Sequence, residues 1–283
     1  MAGEWPLVAF TIIGQSAAGF FLFAGALLYF SSPAGGAGLT AALAVLGSLI
    51  AAAALSLFHL RRPARAFRVL SNVGTSPLSR EILFGLAFTA FVGLLAVCEW
   101  RGVGSRGLLQ GLFVLGGLAG VFFVLSMSRV YMLPAEPGWD RSHTPLSFFA
   151  TALILGASGA AVFIGSFAAP PDALRPLVAA AFVSAAGGLA CVVVLTPGRG
   201  VLGGGLAPSL RPPRGVPSAL FAARVAALLA GMALLAAAWG GLGRRGAPGF
   251  LLPAALTVLA AAETSGRFLF YALAGATRTK QIS

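Results

Sequence analysis

The sequence predicts an all-α integral membrane protein, an eight-transmembrane-helix bundle with both chain termini on the same side of the bilayer. Three observations carry that prediction. Of 283 residues, 58% are hydrophobic and 9% charged, too little polar surface to cover a soluble globule of that size. The apolar residues fall into eight runs, each near the roughly 20 residues that a helix needs to cross a hydrocarbon core about 30 Å thick. Within those runs apolar and polar residues do not alternate, as the strands of a membrane barrel would.

The first run lies near 7–30. It follows Glu4 and no cation, so it lacks the basic start of a secretory signal and reads as a retained first span. Ser31-Ser32-Pro33-Ala34-Gly35-Gly36 turns the chain into the second, near 38–60. An arginine-rich loop leads to the third, near 78–99, and a short break to the fourth, near 107–133. There Gly116-Gly117-Leu118-Ala119-Gly120 provides the small residues that allow close helix packing. Pro134 to Pro137 precede the fifth, near 145–168, and Pro170-Pro171 the sixth, near 174–195. A Gly- and Pro-rich stretch over 197–217 leads to the seventh, near 219–241, and Gly243 to Gly249 to the eighth, near 248–275. No stretch reads as a soluble module, so residues 1–283 form a single membrane domain.

The charge is lopsided, with 19 cations, all but Lys280 arginine, against seven acids for a net +12. The arginines occupy short loops between apolar runs and are not interleaved with aromatics, which argues against nucleic acid as a partner. Anionic membrane lipids or an acidic partner subunit fit better. Cys98 and Cys191 lie in different runs and read as small core residues. Two thiols cannot hold an iron–sulfur cluster.

With eight spans, both termini and the loops after spans two, four and six share one side, termed the N side. Gln15, His59, Glu81, Arg129, Tyr131, His143, Arg224, Glu263, Arg267 and Tyr271 all fall toward it. The opposite half holds only rim residues such as Glu99, Trp100, Arg106 and Asp172. Ionisable groups are costly in lipid, so a set confined to one leaflet predicts a polar cavity open to one surface and not a channel. Glu263, Arg267 and Tyr271 recur every fourth residue and share one face of the last helix. They could form an internal ion pair, line a ligand, or do both; Arg129 and Arg224 could equally snorkel to headgroups.

His59 and Glu81 stand at the two ends of the loop between spans two and three. Each has an ordinary reading: His59 as an interfacial histidine against a helix C-terminal dipole, Glu81 as a first-turn acid with Ser79 as cap. The loop nevertheless returns the chain to one surface and can place both groups together. Oxidation of a quinol releases protons along with electrons, and its acceptors must titrate near neutrality. Histidine does so unaided, and burial moves a carboxyl toward the same range. Haem needs facing axial side chains from different helices. Only His59 and His143 are available, with Met127, Met132 and Met232 as weaker partners, and His143 reads as a solvated loop residue, so neither haem nor another metal is expected.

The run His59-Leu60-x-x-Pro63-x-Arg65-Ala66-Phe67-x-x-Leu70-x-x-Val73-Gly74-x-Ser76-x-Leu78-Ser79-x-Glu81-Ile82 resembles the corresponding loop of the membrane-anchor subunit of dimethyl sulfoxide reductase. So do Glu4-Trp5-Pro6-Leu7 with Gly14-Gln15, Arg129-Val130-Tyr131, Thr144-Pro145 with Phe148-Phe149, and Glu263-x-x-Gly266-Arg267-x-x-Phe270-Tyr271, in order from end to end.

The resemblance implies a haem-free and metal-free anchor in the bacterial cytoplasmic membrane that binds and oxidises menaquinol to menaquinone. His59 and Glu81 would act as proton acceptors, with Arg65, Gln15, Arg129, Tyr131, Glu263, Arg267 and Tyr271 in support. Electrons would pass to a ferredoxin-like subunit bearing 4Fe-4S clusters, then to a catalytic subunit with a molybdenum bis-guanine-dinucleotide pterin cofactor, the three forming a heterotrimer. Arg61, Arg62, Arg68, the 134–143 segment and the proline-rich 208–217 segment depart from the family pattern. The resemblance also implies that the docking face is periplasmic, against the positive-inside count, which would make the arginine-rich N side cytoplasmic. Two competing readings are a secondary transporter, which would need polar residues in both leaflets and a helix broken at the midplane, and a passive anchor without a quinol site.

Overall fold

The computed structural model describes residues 5–31, 36–57, 72–132, 139, 143–167, 169–194, 218–243 and 249–278, with side chains to 193 in the sixth helix and 271 in the last. Among them are eight α-helices: α1 (Trp5–Ala26, extended by a π-helical turn, Leu27–Ser31), α2 (Ala37–Leu57), α3 (Pro77–Arg101), α4 (Arg106–Tyr131), α5 (His143–Ser166), α6 (Pro171–Val194), α7 (Ser218–Gly241) and α8 (Leu251–Arg278). Their ends lie within a few residues of the apolar runs, because the same Pro and Gly breaks that end the runs end the helices. Helices α1 to α7 are long and apolar enough to cross a membrane, and they include the expected all-helical bundle's most hydrophobic segments. Helix α8 has the length, and differs in the polar group Glu263, Thr264, Ser265 and Arg267 around its middle.

Serine hydroxyls cap the starts of α3 and α4. Ser76 caps α3, its hydroxyl accepting from the Ser79 amide at 3.4 Å, with Pro77 at the first helical position and Gly102 in the left-handed conformation (φ 61°) at the other end. The cap is thus Ser76 and not Ser79, which is buried inside the helix. Arg80 ties the preceding turn down by donating to the carbonyls of Val73 (2.9 Å) and Gly74 (2.5 Å). Ser105 caps α4 in the same way.

Helices α1 and α5 form the centre of the bundle and are the most buried of the candidate spans. Helix α1 packs on α2, α4, α5 and α8, while α3 pairs with α4 and α7 with α8 at the flanks. The α1–α5 crossing is as close as helices come: a Cβ on Gly19 would collide with the Ala152 carbonyl, and one on Gly156 with the Gly19 backbone. Small residues at a crossing let backbones touch, the main source of helix association where lipid is as apolar as the side chains. The glycines of α4 pack less tightly. A Cβ on Gly116 would sit 3.0 Å from the Phe21 ring and one on Gly117 3.0 Å from Leu22.

Candidate functional site

The Gly19–Gly156 contact sets what happens one turn away. Gln15 on α1 and Thr151 on α5 face each other there, and Arg267 of α8 enters between them. Its Nη2 donates to Gln15 Oε1 at 2.7 Å and to Thr151 Oγ1 at 3.4 Å. The Thr151 hydroxyl in turn donates to Glu263 Oε2 at 2.5 Å, and the Gln15 amide nitrogen faces Met127 Sδ at 4.0 Å. All four polar residues are buried. Four-residue spacing puts Glu263 and Arg267 on one face of α8, as the sequence predicts, but Thr151 stands between them and there is no direct ion pair among the described contacts.

Glu263 finds its cation on α7, where Arg224 Nη2 lies 3.6 Å from Oε1. Gly266 makes this possible, since any Cβ there would overlap the Arg224 guanidinium. The guanidinium of Arg267 also lies over the Phe148 ring at 3.9 Å, a cation–π contact in a dehydrated setting. Arg224 thus meets the carboxylate directly and Arg267 reaches it only through the Thr151 hydroxyl, and the cluster has two cations against one acid.

Beside the cluster the two tyrosine hydroxyls of Tyr131 and Tyr271 share a 2.6 Å hydrogen bond, in which either can donate. Around them is a box of rings. Trp139 stacks on Phe270 at 5.2 Å and 10° and donates its indole N–H to the Phe270 carbonyl at 2.8 Å, while Phe148 closes the side. The Thr144 hydroxyl donates to the Trp139 carbonyl at 2.7 Å and holds that residue against the start of α5.

Glu81 is buried in the second turn of α3, not in its first, so neither the cap nor the full N-terminal dipole accounts for it. It lies within electrostatic reach of Tyr131, which places it at the same end of the bundle. Of the other residues expected here, the structure brings together Gln15, Tyr131, Glu263, Arg267 and Tyr271. Arg129 is exposed on α4. His59 and Arg65, with Arg61, Arg62 and Arg68, lie outside the described residues. His143 is the first, half-buried residue of α5 and not a solvated loop residue. Met127, weighed above as a haem ligand, is fully buried beside Gln15. Among the described residues no three His, Cys, Asp or Glu side chains gather as a metal site.

The buried polar side chains support the one-ended arrangement. Thr11, Gln15, Ser79, Glu81, Thr144 and Thr151 lie in the first halves of α1, α3 and α5, Ser126 and Ser128 in the second half of α4, and Glu263 and Arg267 near the middle of α8; Ser158, in the second half of α5, is the exception. At the other end, Tyr29 in the π-helical turn hydrogen-bonds Glu99, and Gln110 donates to the Tyr29 carbonyl at 3.0 Å. Thr151 and Arg224 were the parts of the cluster hardest to foresee. A threonine inside an apolar run carries no signal of its own, and the role of Arg224 depends on the α7–α8 contact at Gly266.

Residues 1–273 match the family described as DMSO reductase anchor subunit (DmsC). The protein is 33% identical over 156 residues to the YnfH subunit of an anaerobic dimethyl sulfoxide reductase of Escherichia coli (strain K12), an overlap of 54% of this sequence and 55% of that one. It is 36% identical over 165 residues to the C subunit of anaerobic dimethyl sulfoxide reductase from the same organism, with 54% and 55% covered. To the C subunit of the Haemophilus influenzae enzyme it is 31% identical over 155 residues, with 54% and 56% covered. The chain spans about half the length of the curated relatives it matches. No solved structure matches significantly.

Proposed function

Because this chain belongs to the DMSO reductase anchor subunit family, we propose that it binds and oxidises menaquinol at the bundle end that holds Glu81, Tyr131, Tyr271 and Arg267. The observation that carries the reading is Glu81 itself, a carboxyl buried in the second turn of α3 without the cap that would explain it as structure. Flat rings of Trp139, Phe270 and Tyr131 at the same end suit a naphthoquinol ring. The excess positive charge around Arg267 and Arg224 favours a ligand that gives up protons.

In this reading His59 and Glu81 each accept a proton as the quinol becomes quinone, and the two electrons leave to an iron–sulfur partner docked over the loop between α2 and α3. That partner carries 4Fe-4S clusters and reduces a molybdopterin catalytic subunit, in a heterotrimer seated on the cytoplasmic membrane with its docking face toward the periplasm. Tyr131 and Tyr271 hold the ring's hydroxyl or pass its proton, while Gln15, Thr151 and Glu263 keep Arg267 in place.

The test uses the assembled complex. His59→Ala and Glu81→Gln should each leave assembly, and reduction driven by an artificial soluble electron donor, unchanged while abolishing reduction driven by a menaquinol analogue. Full quinol-driven activity in both variants would refute the assignment and leave a passive anchor.

A further inference from the structure

The end of the bundle opposite the Gln15–Arg267 cluster has an apolar groove between α6 and α7, unconnected with the quinol reading. It has a volume of about 290 Å³ and is lined by Val178, Phe182, Val183, Leu235, Ala236 and Trp239, among others. Phe182, Val183 and Trp239 are exposed along it, so it faces outward from the bundle toward acyl chains.

A charged pair sits at its head. Asp172 and Arg175, in the first turn and a half of α6, are linked at 3.2 Å with side chains 88% and 51% exposed. At 3.6 residues per turn, Arg175 shares its helix face with Val178, Ala179 and Phe182, three, four and seven positions on. Asp172 lies one turn nearer the helix start on nearly the same face. Gly243, just past α7, approaches Pro171, the first residue of α6, so the end of α7 and the start of α6 form one rim. Trp239, in the last turn of α7, stands at that rim, the depth at which indoles settle between lipid and water.

We propose that this groove holds one acyl chain of a phospholipid whose zwitterionic headgroup bears a primary ammonium, an ethanolamine phospholipid, with its phosphate on Arg175 and its ammonium on Asp172. A lone arginine would take any anionic headgroup, and a lone aspartate would repel all of them. Side by side, the two present a donor fork and an acceptor whose signs match phosphate and ammonium in turn. A choline headgroup has no N–H to give Asp172, and a glycerol headgroup has no cation to meet it. Free phosphate could reach Arg175 but would gain nothing from the groove.

The full chain, purified in detergent and offered equal amounts of ethanolamine, choline and glycerol phospholipids with identical chains, should retain the ethanolamine lipid about tenfold over the others in native mass spectrometry, as one charge-assisted hydrogen bond would give. Asp172→Asn should remove that preference, and Arg175→Gln should lower retention of all three lipids. Ala236→Trp, which fills the groove, should do the same. If that variant melts early, Val183→Phe replaces it. Ethanolamine lipid with brominated chains should quench indole fluorescence in the native chain and much less in Trp239→Phe. Equal retention of the three lipids, a preference that survives Asp172→Asn, or retention indifferent to groove filling would overturn the proposal. So would displacement of the lipid by a quinone tail, or a dimer of the protein that covers the groove.

Discussion

The Arg267 guanidinium of the last helix donates to the Gln15 amide oxygen of the first at 2.7 Å, across 252 positions of sequence. Neither group can reach water there, so each depends on the other. A buried donor left without its acceptor costs far more than the net worth of the bond.

Gln15→Leu should therefore destabilise the chain by about 3 kcal/mol, because it leaves the buried guanidinium with only the longer bond to Thr151. Gln15→Glu, which restores an acceptor and adds a countercharge, should recover most of it. Thermal unfolding in detergent, followed by the circular dichroism of the helices, compares the two.

Thr151 gives a hydroxyl to Glu263 and accepts from Arg267. Replacement by isosteric valine should cost about 2 kcal/mol, since shape is kept while the bonds to Glu263 and Arg267, and the contact to the Ser147 carbonyl, are lost. Thr151→Ser should stay near the native melting temperature, and a loss in the Ser variant as large as in the Val variant would mean that the methyl group matters as much as the hydroxyl.

Gly266 leaves the space that the Arg224 guanidinium occupies beside Glu263. Gly266→Ala should displace that side chain and cost about 2 kcal/mol by leaving Glu263 without its cation. In an Arg224→Met background the same change should cost much less. A double-mutant cycle measures the difference, and strict additivity would show that Gly266 is needed for another reason.

Gly19 and Gly156 touch backbone to backbone. Valine at either should push α1 and α5 apart and shift the whole Gln15–Thr151–Arg267 group, with a loss above about 4 kcal/mol typical of core overpacking at its worst. Gly159→Ala is the control, because a Cβ there would meet only the Phe20 ring at an ordinary 3.6 Å. Yield of monodisperse protein after purification separates the variants.

Tyr131→Phe and Tyr271→Phe each remove one half of the same 2.6 Å bond. If the pair acts as a unit, the two single variants and the double variant should slow quinol-driven turnover to a similar extent, with the double adding little. Losses that multiply would assign the tyrosines separate roles.

How much of this was readable beforehand depends on the kind of signal. Helix ends were legible because Pro33, Pro134, Pro170 and the glycines near 243 interrupt apolar runs whatever the tertiary contacts. Confinement of polar residues to one end was legible too, since topology alone assigns each helix half to a leaflet. The four-residue spacing of Glu263, Arg267 and Tyr271 predicted a shared face, but not that Arg267 would bond Gln15 while Arg224 served Glu263. Arg129, which keeps good company in the sequence beside Tyr131, points outward, because a helix turns its neighbours about 100° apart.

The sequence by itself determined the bilayer as solvent, the number and limits of the helices, and the end of the bundle at which buried charge collects. These follow from transfer free energy and local backbone chemistry, which act on each segment separately. Only the tertiary structure decided the partners within that end. Whether Arg267 meets Gln15, Thr151 or Glu263 depends on where α1 and α5 touch, and that contact is set at Gly19 and Gly156, two missing side chains among 38 glycines that look alike in the sequence.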